Sequence, residues 1–242
     1  MASAETLFLA TAIIFGAAFV QGVTGFGHAL LAIGLLAMLF GGKDAVLILS
    51  VMAPAIALAV FARHWRRVDW KEVFLIALPM SLIGLPLGIL LFTVIDEGAL
   101  TCGVGIFLII SAGYFLTPLA PKPRDLPWPF GAAAGAIGGF FGGAASTGGP
   151  PLVLYLYARE MPKEVRMGVL QAVFVIGSTV KVAMLIPTGY LTTPILLDSA
   201  VLIPPMVIGS YLGQILFDRL PGDAIRTAAL VLLLGIGVML LF

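Results

Sequence analysis

Gln21-Gly22-Val23-Thr24-Gly25-Phe26-Gly27-His28 interrupts a long apolar stretch with small and polar residues. Gly142-Gly143-Ala144-Ala145-Ser146-Thr147-Gly148-Gly149-Pro150-Pro151 does the same to a second stretch, 121 residues further on. Outward from these interruptions a second pattern recurs. Pro79-x4-Gly84-x3-Gly88-x3-Phe92 returns as Pro204-x4-Gly209-x3-Gly213-x3-Phe217, 125 residues later. The two offsets nearly agree, so the chain reads as two copies of one unit, with the Pro-rich stretch from Thr117 to Pro129 as the seam. An apolar chain of two such copies is the pattern expected of a membrane transporter.

Composition agrees with that expectation. Hydrophobic residues make up 61% of the chain and charged residues 10%, with a mean hydropathy of +1.14. A soluble domain carries about a quarter charged residues. A spanning helix takes about 20 residues, so 242 residues allow roughly eight to ten apolar segments and no soluble domain. The single cysteine, Cys102, has no partner for a disulfide and is expected to serve packing. The N-terminus has Glu5 and no Lys or Arg before the first apolar run, so it lacks the basic region of a cleaved signal peptide.

Apolar runs fall at 7–40, 45–62, 73–95, 99–117, 130–158, 165–187, 195–217 and 224–242. If each crossed the membrane once, the basic residues would divide six against six between the two sides. If 7–40 and 130–158 instead enter, break at their centres and return, one side collects Arg63, Arg66, Arg67, Lys71, Lys122, Arg124, Arg159, Lys163, Arg166, Arg219 and Arg226, and the other holds only Lys43. Such a sorting is that of a cytoplasmic face, and Trp65, Trp70 and Trp128 fall on the same side, where an aromatic belt would lie. The expected fold is therefore an all-α integral membrane protein of two inverted repeats. Residues 1–120 form the first (hairpin 7–40, spans 45–62, 73–95 and 99–117) and 121–242 the second (hairpin 130–158, spans 165–187, 195–217 and 224–242), with both termini outside a bacterial cytoplasmic membrane. Gly-rich kinks in ordinary spans, packed small residue to small residue, are the competing arrangement.

Non-helical backbone inside a bilayer needs burial in protein or a water-filled cavity, so breaks at corresponding places point to a central site. Each break starts a half-helix whose free N–H groups and dipole suit an anion. His28 follows Gly27 at one start. Pro150 and Pro151 suit the first turn of the other, with Ser146 and Thr147 placed to cap or to donate. The candidate binding residues are Gln21, Thr24, Gly25, Gly27, His28, Ser146, Thr147, Gly148, Gly149 and Lys181, with Gln171 and Ser178 as further polar linings.

The segments Gly16 to Gly27 and Gly138 to Pro150, with the Pro-x4-Gly-x3-Gly repeats, resemble the sulfite exporter TauE/SafE family of bacterial membrane permeases over essentially the whole chain. The resemblance implies transport of sulfite, of organosulfonates such as sulfoacetate, or of another sulfur-containing anion. The implied partners are a small anionic substrate and the lipid bilayer, with no cofactor, no metal and no nucleic acid; a homo-oligomer stays open.

Lys181 is the one formal charge well inside a span, where a lysine costs about 2.5–3.5 kcal/mol on insertion scales. It is expected either to face the cavity as counter-ion or to snorkel outward past Pro187, about 9 Å along the helix. No carboxylate sits at mid-span, as Asp96, Glu97 and Asp198 fall at or near loops, so no carboxylate relay is evident. An intramembrane enzyme and a non-transporting subunit are the alternatives. With two histidines, His28 and His64, one cysteine, and neither HExxH nor Gly-x-Ser-x-Gly, few hydrolytic or metal centres could be built.

Overall fold

The computed structural model describes residues 2–94 and 126–239, together with positions 102, 106, 109, 110 and 113. The span expected at 99–117 lies almost wholly outside the described residues, as do Asp96, Glu97, Lys122, Arg124 and Phe242. All regular structure among the described residues is helical. Cys102, expected to pack, is exposed.

Helix α1 (Ala4–Thr24) starts where the Ser3 hydroxyl accepts the Thr6 N–H, and ends at Gly25, whose φ of 87° turns the chain out of the helix. Three residues later α2 (His28–Phe40) begins behind Gly27, at φ 101°. Positive φ is open to glycine at no steric cost, which is how this sequence breaks a helix without a proline. Helix α3 (Gly42–His64) runs on into a 3-10 turn at Trp65–Arg67. Asp69 then caps α4 (Trp70–Pro79) by accepting the Lys71 and Glu72 N–H groups. The chain passes through a π-helical turn, Met80–Gly84, into α5 (Leu85–Val94); a proline beside such a turn is a recognised cause of a helix kink.

The second half repeats this order. Helices α6 (Trp128–Ala145) and α7 (Gly149–Tyr157) flank the second break, followed by α8 (Lys163–Leu185), α9 (Thr193–Arg219) and α10 (Gly222–Met239). Pro204 and Pro205 sit inside a continuous α9, where the equivalent Pro79 precedes the π turn. Among the described residues five stretches are long and apolar enough to cross a membrane: Ala4–Thr24, Gly42–Arg67, Trp70–Val94, Lys163–Thr188 and Thr193–Arg219.

Glycine lets the halves interlock. A Cβ on Gly213 of α9 would stand 2.1 Å from the Phe19 carbonyl oxygen of α1, and one on Gly88 of α5 would stand 2.1 Å from that of Phe140 in α6. Likewise Gly209 faces the Phe15 carbonyl and Gly84 that of Ala136, while Gly22 faces Ser210 and Gly143 faces Leu85. Every pair maps onto its counterpart by the same two offsets that relate the sequence patterns. The Pro-x4-Gly-x3-Gly helix of each half is thus the bed on which the broken helix of the other half lies, backbone against backbone.

These contacts also fix directions. Helix α1 lies parallel to α9, since Ala2 donates its N–H to the Asp198 carboxylate near the start of α9 and Gly22 meets Gly213 near its end. Helix α6 lies parallel to α4–α5, with Gly135 against Ile76 and Gly143 against Leu85. Helices α3 and α8, which hold equivalent places, run antiparallel, with Gly168 against the His64 carbonyl and Ser50 and Lys181 both bonded to Ser146. Arg63 pairs with Asp218, which places the ends of α3 and α9 on one face. Hairpin α1–α2 therefore leaves and returns to one face. Hairpin α6–α7 leaves and returns to the opposite one, where Tyr155 donates to Glu72 and Arg159 lies 3.5 Å from the same carboxylate.

Candidate substrate site

Both breaks end inside the protein and face one another across a cavity of about 90 Å3, room for several waters or one small anion. The first break supplies Gln21, Phe26, Gly27 and His28 to its wall, and the second supplies Gly142, Ser146, Thr147, Gly148 and Gly149. Ser50 of α3 and Ser178 and Lys181 of α8 complete the polar lining; Ile56, Met80, Leu85 and Phe174 are among the apolar side.

Eight of the ten residues expected from sequence thus meet at one place. Thr24 and Gly25 do not line the cavity. The Thr24 hydroxyl is within bonding distance of the Val20 and Phe26 carbonyls, at 2.9 and 2.8 Å, and so closes the break from within. The Gly25 carbonyl accepts the side-chain N–H of Gln171 at 2.6 Å. Gln171, expected as lining, is fully buried behind the break and fastens it to α8. Its role is invisible in sequence, because a glutamine ten residues before Lys181 says nothing about which backbone it reaches.

The second break departs further from expectation. Ser146 and Thr147 do not cap α7: its N-cap is Gly148, with no side-chain bond. Ser146 instead ends α6, at a φ of 59°. A left-handed backbone costs a non-glycine residue about 1–2 kcal/mol, so this break is strained where the first, with Gly25 in the equivalent place, is relaxed. Pro150 and Pro151 also leave α7 with Gly149 as the one N–H in its first three positions, a weaker anion cradle than the start of α2.

Lys181 does not snorkel. It is 5% exposed, and its ammonium donates to the Gly142 carbonyl at 2.6 Å and to the Ser146 hydroxyl oxygen at 2.8 Å. Gly142 belongs to the last turn of α6, whose carbonyls carry the negative end of the helix dipole. The cation is therefore held by backbone while it lines the cavity. Ser50, unmarked in sequence beyond being polar within an apolar run, lies 3.0 Å from the Ser146 hydroxyl and donates to the Val46 carbonyl at 2.6 Å.

Among the described residues no aspartate or glutamate lines the cavity, and Lys181 is the one formal charge on its wall. His28, 2% exposed, has no partner at Nε2 among the described residues, and Thr147 has none at Oγ1. Buried polar atoms left unpaired cost about 1–3 kcal/mol each. Both atoms stand on the same wall as the Lys181 ammonium.

Helices of this length and apolarity define a multi-pass membrane protein, and two of its hairpins are interrupted around a polar cavity. The family model for the sulfite exporter TauE/SafE matches residues 10–240, and the chain belongs to that family. It is 26% identical over 230 residues to the "Probable sulfite/organosulfonate exporter TauE" of Cupriavidus necator, a match covering 91% of this chain and 88% of that relative. No solved structure matches the chain.

Proposed function

We propose that this protein is a secondary permease that exports a small sulfur-containing anion, sulfite or an organosulfonate such as sulfoacetate, through the cavity between its two breaks. The observation that carries the proposal is the lining itself: among the described residues it has Lys181, the unpaired His28 Nε2 and Thr147 Oγ1, and no carboxylate. Gln21, Gly27, Ser146, Gly148 and Gly149 complete the binding wall, and Thr24 and Gly25 hold its shape. Family membership and the printed name of the Cupriavidus necator relative favour a sulfur anion over other anions of similar size.

The two halves, 1–120 and 121–242, act as inverted repeats, a reading favoured by the antiparallel α3 and α8 and by hairpins entering from opposite faces. Apart from Lys43 and Lys181, the basic residues of the described segments sit at the α3–α4 and α7–α8 turns and the α9–α10 junction, which the positive-inside rule makes the cytoplasmic face of a bacterial inner membrane. Both termini are then outside. An inside-negative potential favours anion export by about 2.3 kcal/mol per charge per 100 mV, so no coupling ion is required.

The test is efflux from liposomes holding only the purified protein. Sulfite or sulfoacetate should leave at a rate that follows the imposed potential, and Lys181→Met should lower the affinity measured by calorimetric titration. Absence of both flux and binding in the wild type would remove the permease reading and return the enzyme and subunit alternatives.

A further inference from the structure

The two breaks are built alike but fastened differently. Gly25 and Ser146 stand at equivalent places, each ending the first helix of its hairpin at positive φ, 87° and 59°. Glycine takes that backbone freely; serine does so only when something holds it. The first break is held by a neutral bond from Gln171 to the Gly25 carbonyl, on the side of the break away from the cavity. The second is held by the ammonium of Lys181, through Gly142 and Ser146, on the cavity side. Both ties come from α8, ten residues apart, but the one on the strained break is within reach of the cavity's occupant.

A lysine ammonium has three donors and one charge. Two donors are committed to a carbonyl and a hydroxyl oxygen, both neutral. Those bonds have a charge on the donor alone, whereas an anion puts a full opposite charge on the acceptor as well, and in a site of low dielectric that added attraction is large. An anion seated against the cavity wall therefore competes with Gly142 and Ser146 for the same cation, and wins more of it as its charge is better exposed.

We propose that Lys181 is a positioning residue that latches the second break, and that an anion in the cavity draws it off Gly142, so that binding loosens the α6–α7 hairpin while the α1–α2 break stays fixed. This rests on the reading of the cavity as the anion site. The strain at Ser146 supplies the restoring push once the latch is withdrawn. The neutral Gln171 tie has no charge to exchange with the ligand. Substrate occupancy is thereby converted into mobility of one hairpin, on one side of the site.

Hydrogen exchange of the full-length protein in lipid nanodiscs tests this, with sulfite and sulfoacetate as probes. The Ser146 and Thr147 amides, bonded to the Gly142 and Phe141 carbonyls, report the latch. Peptides over 140–149 should exchange faster with anion bound, by about fivefold to thirtyfold, while those over 22–30 are unchanged or slower. Lys181→Met should exchange rapidly over 140–149 with no anion present and lose the response to anion. Slower exchange over 140–149 on binding, the usual effect of a ligand, would overturn the proposal, as would wild-type exchange there in anion-free Lys181→Met. If neither probe binds by calorimetry, it is the cavity reading that fails, and the anion-free comparison still decides the latch.

Discussion

Replacing Gly88 and Gly213, one at a time, by alanine tests the interlocked halves most directly. Each new Cβ would lie 2.1 Å from a backbone carbonyl oxygen, that of Phe140 or Phe19, short of the 3.4 Å of ordinary contact by about 1.3 Å. No side chain can yield there, so the two helices must part. Overpacking of this kind costs about 1–3 kcal/mol. For a chain of this size a change of 1 kcal/mol moves the melting temperature by about 2–4 °C, so both variants should melt about 2–12 °C lower in the same detergent. Gly16→Ala is the control: nothing lies within 4 Å of its Cβ, and alanine favours the helix by about 1 kcal/mol, so its melting temperature should hold or rise. The separation also reaches the site. Gly213 touches Gly22, three residues before Gly25, and a Cβ on Gly88 would stand 2.9 Å from the Ala144 nitrogen, two residues before Ser146, so anion affinity should fall in both. If either alanine proves as stable as the Gly16 control, or if one half tolerates it and the other does not, the equivalence of the two interfaces is refuted.

His28→Ala should weaken sulfite binding about tenfold to a hundredfold in calorimetric titration, the worth of one hydrogen bond to a charged group; unchanged affinity would place the anion away from Nε2. Gln171→Leu leaves the Gly25 carbonyl buried and unpaired, so it should melt about 2–12 °C lower, and a melting curve equal to wild type would show that the tie is not needed. In a Cys102→Ser background, Lys43→Cys should react with an impermeant thiol reagent on intact cells and Arg66→Cys only after lysis; the reverse order would invert the topology. Bulky substitutions at Gly27 or Gly148 are poor probes of binding, since Gly27 needs its φ of 101° and a Cβ on Gly148 would stand 2.3 Å from the Gly138 carbonyl oxygen.

The sequence by itself determined that this is a membrane protein, where the helices of its two hairpins break, and most of the residues that line one cavity. Those properties are local or periodic: apolar length decides whether a helix can span, and clustered glycines, with a serine and prolines in the second case, decide where it stops. The ten residues expected at the site include eight that line one cavity because both breaks had to be buried together, and backbone without internal partners leaves little choice of place. What the sequence left undecided is which groups hold one another across the fold. The repeated glycines were legible as a pattern, but that each set seats the broken helix of the opposite half depends on helix directions that no spacing specifies. Lys181 was open to two places, and packing chose the cavity wall, with partners that no spacing specifies. Its ammonium found the end of α6 because that carbonyl terminus and the strained Ser146 lie within its reach only after α8 has crossed α3 antiparallel. Gln171 and Ser50 acquired partners for the same reason: a buried polar side chain is defined by the backbone it meets, and that meeting is a property of tertiary structure alone.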